Sequence, residues 1–452
     1  MNNSINMLDG SIIKGLVRFS LPLIFSSVLQ LLFNAADIIV IGRFGSSNSL
    51  AAVGAVSVIL SLCALVFMHL GSGATVLAGK NIGAGKKAAV NDVVHVATSL
   101  ALLLGLAVTA AMWHAIPYIL RTLQTPTEVF GLSLTYMYWL IPGIPAIALY
   151  NFGAGILRAK GDTKRPLYFL IVSGAANVIM NLIFVIPLKM DVAGVGLATT
   201  ISQYISTFLI YGCLALEKDE FKLEVKKIKL KRDITASILR VGIPGAIQCS
   251  LFSISNMVIQ AAVNSFGPVV MAGNAAASNL ENFTWVSMAA VSQAAMSFTS
   301  QNFGAGNFSR IKKTIIQGSL FSAAVGLVLG MGTYILARPL LFVYTTNAAA
   351  IEEGVVRLGC LCAPYCLCGI MDCLSTNLRG LGHAAVSALV VLLGACGTRI
   401  LWIFTAFQTP RFHTTRWLLL TYPASWIITS IALALFLARA FRQERARFEP
   451  SA

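Results

Sequence analysis

The sequence predicts an all-α membrane protein with twelve transmembrane helices in two pseudo-symmetric six-helix lobes. Three observations carry that expectation. The chain is 57% apolar and 11% charged, against a charged share of about 25% in ordinary soluble domains, so it has too few charges to cover a soluble surface. Apolar segments of about 20 residues, the length a helix needs to cross a bilayer, recur along it. The chain also repeats itself. Phe19-Ser-Leu-Pro22, Asn34, Phe44-Gly45 and Asn81-Ile-Gly83-Ala-Gly85 return as Val241-Gly-Ile-Pro244, Asn256, Phe266-Gly267 and Asn302-Phe-Gly304-Ala-Gly306. Leu157-Arg158-Ala-Lys-Gly161 returns as Leu378-Arg379-Gly-Leu-Gly382. The offset stays at 221–222 residues, as expected of two parallel copies joined in one chain.

The spans are expected at 16–41, 51–78, 92–118, 129–155, 167–187, 192–216, 236–264, 270–298, 314–336, 353–376, 384–407 and 417–438. Met1 to Gly10 is polar and runs into the first span, so no cleavable signal peptide is expected. With Met1 inside, 25 of the 33 Lys and Arg fall on inner loops and span ends, and 6 on outer loops. Arg357 and Arg399 fall within spans. This positive-inside bias predicts that both termini are cytoplasmic. The net charge of +16 is then a topology signal and not a nucleic-acid footprint. The polar stretch 217–233, with seven Lys and Arg, reads as a basic cytoplasmic linker suited to an anionic leaflet. It joins a lobe over 1–216 to a lobe over 234–452. Each lobe has an even number of spans, so the copies share one orientation about an axis along the membrane normal. Trp113, Trp139 and Trp417 fall near outer span ends, as interfacial anchors do.

Three carboxylates lie well inside spans: Asp37, Glu281 and Asp372. A charge at the bilayer centre costs about 2.5–3.5 kcal/mol even on insertion scales, so each needs a partner, a cavity or a function. A carboxyl group removed from water favours its neutral form, and a group so poised can take up and release a proton. Helical spacing places Ser27, Gln30, Asn34 and Asp37 on one stripe of the first span, expected to face the lobe interior. Pro22, four turns earlier, is a natural bend point or hinge. In span eight, Asn274, Ser278, Glu281, Trp285 and Ser292 form a second stripe. A carboxylate one turn from an indole suits a flat organic cation. Asp372 has Ser375, Thr376 and Arg379 one and two turns on, so a structural contact competes with a role in transport. Ser173, Asn177 and Asn181 share a face of span five, and span six offers Thr199, Thr200 and Gln203. Gln248, Ser253, Asn256 and Gln260 do the same in span seven. All of these suit either a cavity lining or interhelical hydrogen bonding.

Other chemistries lack their residues. Gly79 to Lys87 resembles a phosphate loop, but the position needing Gly is Lys80, the position needing Ser or Thr is Lys87, and the second copy has no Lys. The loop is expected to be a tight inner turn. Cys360, Cys362, Cys366, Cys368 and Cys373 crowd span ten over several helix faces without a His, so they read as small apolar residues and not as a metal site. No nucleophile or metalloprotease motif appears, so an enzyme is not expected, and no cofactor beyond a coupling ion.

Asn34-Ala-Ala-Asp37-Ile-Ile-Val-Ile-Gly42-Arg43-Phe-Gly45, the two Asn-x-Gly-Ala-Gly turns, Leu157-Arg158-Ala-Lys-Gly161-Asp162-Thr163 and Gly196-Leu-Ala-Thr199 together resemble the multidrug and toxic compound extrusion (MATE) family, over about 14–440. The resemblance implies an antiporter of a bacterial cytoplasmic membrane. It would export amphipathic or cationic compounds by alternating access, against inflow of H⁺ or Na⁺, and work as a monomer. It also implies that Asp37 is a cation-coupling residue with Asn177 and Thr199 around it, and that Pro22 bends the first helix. A second family Asp in span five is replaced here by Asn181, which leaves one fewer titratable group in that lobe and keeps the identity of the ion open, with Na⁺ at Asp37 as one option. Asn34, Glu281, Trp285, Asp372, Gln248 and Asn256 are the candidate substrate contacts. A flippase for lipid-linked saccharides is the alternative. It would need a more cationic cavity than Arg357 and Arg399 supply.

Overall fold

The computed structural model describes residues 4–448. They form helices and no strand. In the first half these are α1 (Ile12–Phe44), α2 (Ser47–Gly83), α3 (Lys87–Thr122), α4 (Thr127–Leu140), α5 (Ile144–Lys160), α6 (Lys164–Val185) and α7 (Asp191–Ala215). In the second they are α8 (Arg232–Asn264), α9 (Pro268–Gly304), α10 (Phe308–Ile335), α11 (Ala337–Phe342), α12 (Ala348–Leu361), α13 (Tyr365–Gly380), α14 (Ala384–Val391), α15 (Thr398–Phe404), α16 (Thr415–Leu419) and α17 (Thr421–Phe448). A 3₁₀ turn at Ile141–Gly143 joins α4 to α5, and a π-helical turn at Leu392–Gly397 joins α14 to α15.

Among the described residues, ten helices or continuous helical stretches are long and apolar enough to cross a membrane. An eleventh is the pair α12 and α13, bent by 52° beside Pro364, which cannot donate the hydrogen bond that would carry the helix through. The twelfth expected span, α9, has the length at 37 residues but not the apolarity. Asn274, Ser278, Asn279, Glu281, Asn282 and Thr284 fall within three turns of it. The protein is therefore an all-α, multi-pass membrane protein in which α9 packs against α10, α12 and α13.

The repeat is visible in backbone geometry. Gly85 and Gly306 both take positive φ, at 67° and 68°, at the turns after α2 and α9. Gly161 and Gly382 do so at 95° and 100°, after α5 and α13. A β-carbon is strained there, which explains why these glycines recur. The phosphate-loop lookalike is thus a helix C-terminal turn.

The residues fall into two compact units. One comprises Phe25–Ala246 with residues 4–5, the other Asn6–Ile24 with residues 247–448. These boundaries differ from a division at the linker. The first part of α1 belongs to the second unit, where Phe19 sets its ring edge-on to Phe298 and the Asn302 side chain donates to the Met7 carbonyl at 3.0 Å. The first part of α8 belongs to the first unit, where Gly242 lies on Leu70 and Gly73 on the Ile238 carbonyl. Each unit boundary falls three residues after a helix proline, Pro22 or Pro244. Proline frees one backbone bond and allows a bend, so a single helix can serve two packing environments.

The basic linker is docked on the first unit. Lys160 pairs with Glu217 at 2.7 Å and Asp219 at 2.5 Å, Arg165 with Glu217 at 2.6 Å, and Lys231 with Asp92 at 2.5 Å. Asn91 donates to the carbonyls of Glu220 and Lys222, and the Glu224 amide donates to His95 Nε2 at 3.0 Å. Phe221 and Leu223 are buried, which anchors the segment there.

Candidate functional site

In the first unit α1 and α6 meet where a side chain is missing. A β-carbon on Gly174 would lie 1.9 Å from the Phe33 ring, so only glycine lets that ring seat on the α6 backbone. One turn on from Phe33, Asp37 meets Asn181, which lies two turns on from Gly174, with Asn177 between them on α6. Asn181 Nδ2 donates to Asp37 Oδ1 at 2.5 Å, and Thr199 Oγ1 of α7 donates to Oδ2 at 3.4 Å. Asn177 links both donors, giving Nδ2 to Thr199 Oγ1 at 3.4 Å and accepting from Asn181 Nδ2 at 3.3 Å. Asp37 is 8% exposed, Asn177 4% and Asn181 fully buried. Asn181 Oδ1 is buried without a hydrogen-bond partner. No Lys or Arg pairs with Asp37 among the described residues. The arrangement is a carboxylate and a spare carbonyl oxygen in an otherwise neutral, buried setting. Such a group can hold a proton, or offer oxygens to a small hard cation. Among the described residues no three His, Cys, Asp or Glu side chains converge as a metal site would require, so oxygens for a cation would come from amides and hydroxyls.

Of the expected stripe on α1, only Asp37 turns inward. Gln30 and Asn34 are exposed, and Asn34 makes no hydrogen bond among the described residues. It does not join the Asp37 cluster.

In the second unit Glu281 is not an open carboxylate. Arg357 of α12 grips it with two bonds, Nε to Oε1 at 2.9 Å and Nη2 to Oε2 at 2.7 Å. Tyr365 OH adds a bond to Oε2 at 3.2 Å, and Arg357 Nη1 donates to Asn274 Oδ1 at 2.6 Å. Asn274 passes the chain to Gln260, and Gln260 to Asn264. Close backbone contact of Gly273 with Ala350 sets α9 against α12 beside Asn274. The two-point ion pair neutralises Glu281, and Trp285, one turn on, is 40% exposed and outside the network. The expected pairing of Glu281 and Trp285 around a cation is therefore replaced by a buried structural ion pair. Sequence reading missed Arg357 as the partner, although an Arg inside a span was the available signal.

Asp372 is half-buried, with Arg379 in electrostatic reach. Its backbone carbonyl accepts from Thr376 Oγ1 at 3.0 Å. Gln248 is half-buried with its Oε1 unpartnered. Asn256 accepts from Arg399 Nη1 at 3.2 Å. Gln248, Asn256 and Asp372 are not brought to Glu281 by any hydrogen bond among the described residues.

A family model, MatE, matches the chain twice, over residues 22–183 and 244–405. The two matches begin at Pro22 and Pro244, so the family unit coincides with the internal repeat. The chain belongs to the MATE family. This MATE protein is 25% identical over 401 residues to the probable multidrug resistance protein YoeA of Bacillus subtilis, covering 86% of each chain. It is 23% identical over 437 residues to a protein named FAD transporter of Shewanella oneidensis, covering 96% of each. A crystallised MATE protein in the bent conformation superposes with a TM-score of 0.88 at 22% identity, covering 98% of each chain, which shows the fold. The MATE family comprises multi-pass membrane transporters and not enzymes.

Proposed function

We propose that this MATE protein is an antiporter that exports amphipathic or cationic small molecules by alternating access, driven by inflow of H⁺ or Na⁺ and coupled at Asp37. The observation that carries this reading is the setting of Asp37, a buried carboxylate met only by the neutral donors Asn181 and Thr199. A carboxylate so placed is stabilised by a proton or a bound cation. Each form favours different packing of α1 against α6 and α7, and Pro22 lies where α1 leaves one unit for the other. A coupling ion and a substrate need only prefer opposite-facing states to drive one another. Asn177, Asn181 and Thr199 complete the coupling site, and Asn181 Oδ1 supplies a spare ligand if the ion is Na⁺.

In this reading the protein works as a monomer in a bacterial cytoplasmic membrane, and the distribution of Lys and Arg supports both termini inside. The relatives' names include both drugs and FAD, so cargo differs between them. A flippase for lipid-linked saccharides has less support, because Arg357 is already neutralised by Glu281, which leaves Arg399 as a single cation against the several charges of a pyrophosphate.

The test is efflux of a fluorescent organic cation from proteoliposomes under an imposed pH gradient or an imposed Na⁺ gradient. Export driven by one of the two is expected. No export under either would overturn the reading.

A further inference from the structure

The second unit holds a buried cation with no anion to meet it. Arg399 opens α15, directly after the π-helical turn Leu392–Gly397, and is 1% exposed. Its Nε donates to Ser425 Oγ at 3.1 Å and its Nη1 to Asn256 Oδ1 at 3.2 Å. The rings of Tyr422 and Phe252 lie 4.4 and 4.9 Å from Cζ. Its Nη2 is buried and donates to nothing. The groups around it are the phenols Tyr422 and Tyr365 and the thiols Cys368 and Cys396, none of them a carboxylate. Glu281 is held by Arg357, and no carboxylate pairs with Arg399 among the described residues.

Proteins rarely bury an arginine without an opposite charge, and one that persists in a membrane span marks a site of function. Two neutral oxygens and two rings hold Arg399 in place, yet none supplies negative charge. The unsatisfied corner is Nη2, whose N–H groups suit a carboxylate or phosphate oxygen. A π-helical turn inserts a residue into the helix and is common at functional sites. Gly394 within it seats against Thr429, one turn from Ser425, so α15 and α17 are held close where the guanidinium sits.

We infer that Arg399 receives an oxyanion, the carboxylate or phosphate group of an amphipathic ligand, with Tyr422 and Phe252 as the aromatic walls of the site. As a step in export this rests on the antiporter reading; as a binding site it stands separately. The oxyanion has two sources, an exported solute or an anionic lipid headgroup.

The experiment uses the full chain, purified in detergent and in nanodiscs. Affinity is measured for one fluorescent amphipath as its free carboxylate and as its methyl ester. The carboxylate is expected to bind on the order of ten- to a hundredfold tighter, as a charge-assisted bond supplies. Arg399→Gln should abolish that ratio and Arg399→Lys should keep part of it. Melting curves of the variants report folding, and the wild-type ratio decides the matter if Arg399→Gln does not fold. Equal affinity for acid and ester in the wild type, with no stabilisation by phosphatidylglycerol over phosphatidylcholine nanodiscs, would overturn the inference. A ratio unchanged in Arg399→Gln would do so as well. Stabilisation by phosphatidylglycerol that needs Arg399, without dye discrimination, assigns the site to lipid. An Arg399-dependent dye ratio in a protein that exports nothing would keep the site and remove the antiporter reading. Export of a cationic dye without either anion preference would do the reverse.

Discussion

Asp37 and Arg399 are the charged members of two buried polar clusters, one in each unit, and carry opposite charge; Asp37 stands on the first run of its half and Arg399 on the fifth of the other. Each unit has six helical runs, and in both cases the first, fifth and sixth converge. In the first unit Asp37 of α1 meets Asn181 of α6 and Thr199 of α7. In the second, Arg399 of α15 meets Asn256 of α8 and Ser425 of α17. Each cluster joins one charged side chain to neutral amide and hydroxyl groups. In both halves the same three runs supply a buried polar cluster, while the sequence decides which run carries the charge and what its sign is. The flanking chemistry follows that sign. The carboxylate is met by amide and hydroxyl donors, whereas the guanidinium is covered by aromatic faces, which attract cations. The Glu281–Arg357 pair shows the alternative, in which both charges are supplied by the chain and no opening is left for a ligand.

Breaking that neutral pair should give the largest effect on stability. Glu281→Gln or Arg357→Met leaves one buried charge uncompensated and should cost about 3–5 kcal/mol. The double variant should recover most of it, as read from melting in detergent. A single variant that melts like the wild type would remove the contrast with Asp37 and Arg399. Gly174→Ala comes next. The Phe33 ring would have to leave α6, at a cost of about 1–3 kcal/mol, and gradient-driven export should fall with it; pairing the change with Phe33→Leu should restore part of both. Unchanged stability and export in Gly174→Ala would mean the close approach does not position Asp37. The smallest effect is expected at the coupling donors. Asn181→Ala should reduce export more than Thr199→Val, because the Asn181 bond is 2.5 Å and the Thr199 contact 3.4 Å. The reverse order would shift the anchor of Asp37 from α6 to α7.

Much of this was legible in the sequence. The repeat landmarks gave the duplication, and the glycines at 85, 161, 306 and 382 marked turns that only positive φ explains. The periodicity of Asn177 and Asn181 put two amides on one face, and Asp37 stood out as a carboxylate in an apolar helix. What failed was partner choice between distant segments. Glu281 and Trp285 are neighbours on one helix, but Trp285 turns outward while Glu281 turns towards Arg357, 76 residues on. Helical spacing gives the angle between two side chains and not which neighbour each faces. The prolines at 22 and 244 signalled bends, yet not that the helix changes units there. The linker's packing was not legible either. Its lysines suggested an anionic leaflet, and the interleaved Glu217 and Asp219 and the apolar Phe221 and Leu223 decide how it docks.

The central claim is that the unpaired carboxylate of Asp37 carries the coupling ion. It is tested most directly by comparing wild type and Asp37→Asn in proteoliposomes, with dye export followed under the driving gradient and dye binding measured without any gradient. Loss of gradient-driven export with dye binding retained is the predicted result, because the asparagine keeps the shape and cannot hold the ion's charge. Export by Asp37→Asn at the wild-type rate would contradict the account and move the coupling ion elsewhere in the molecule.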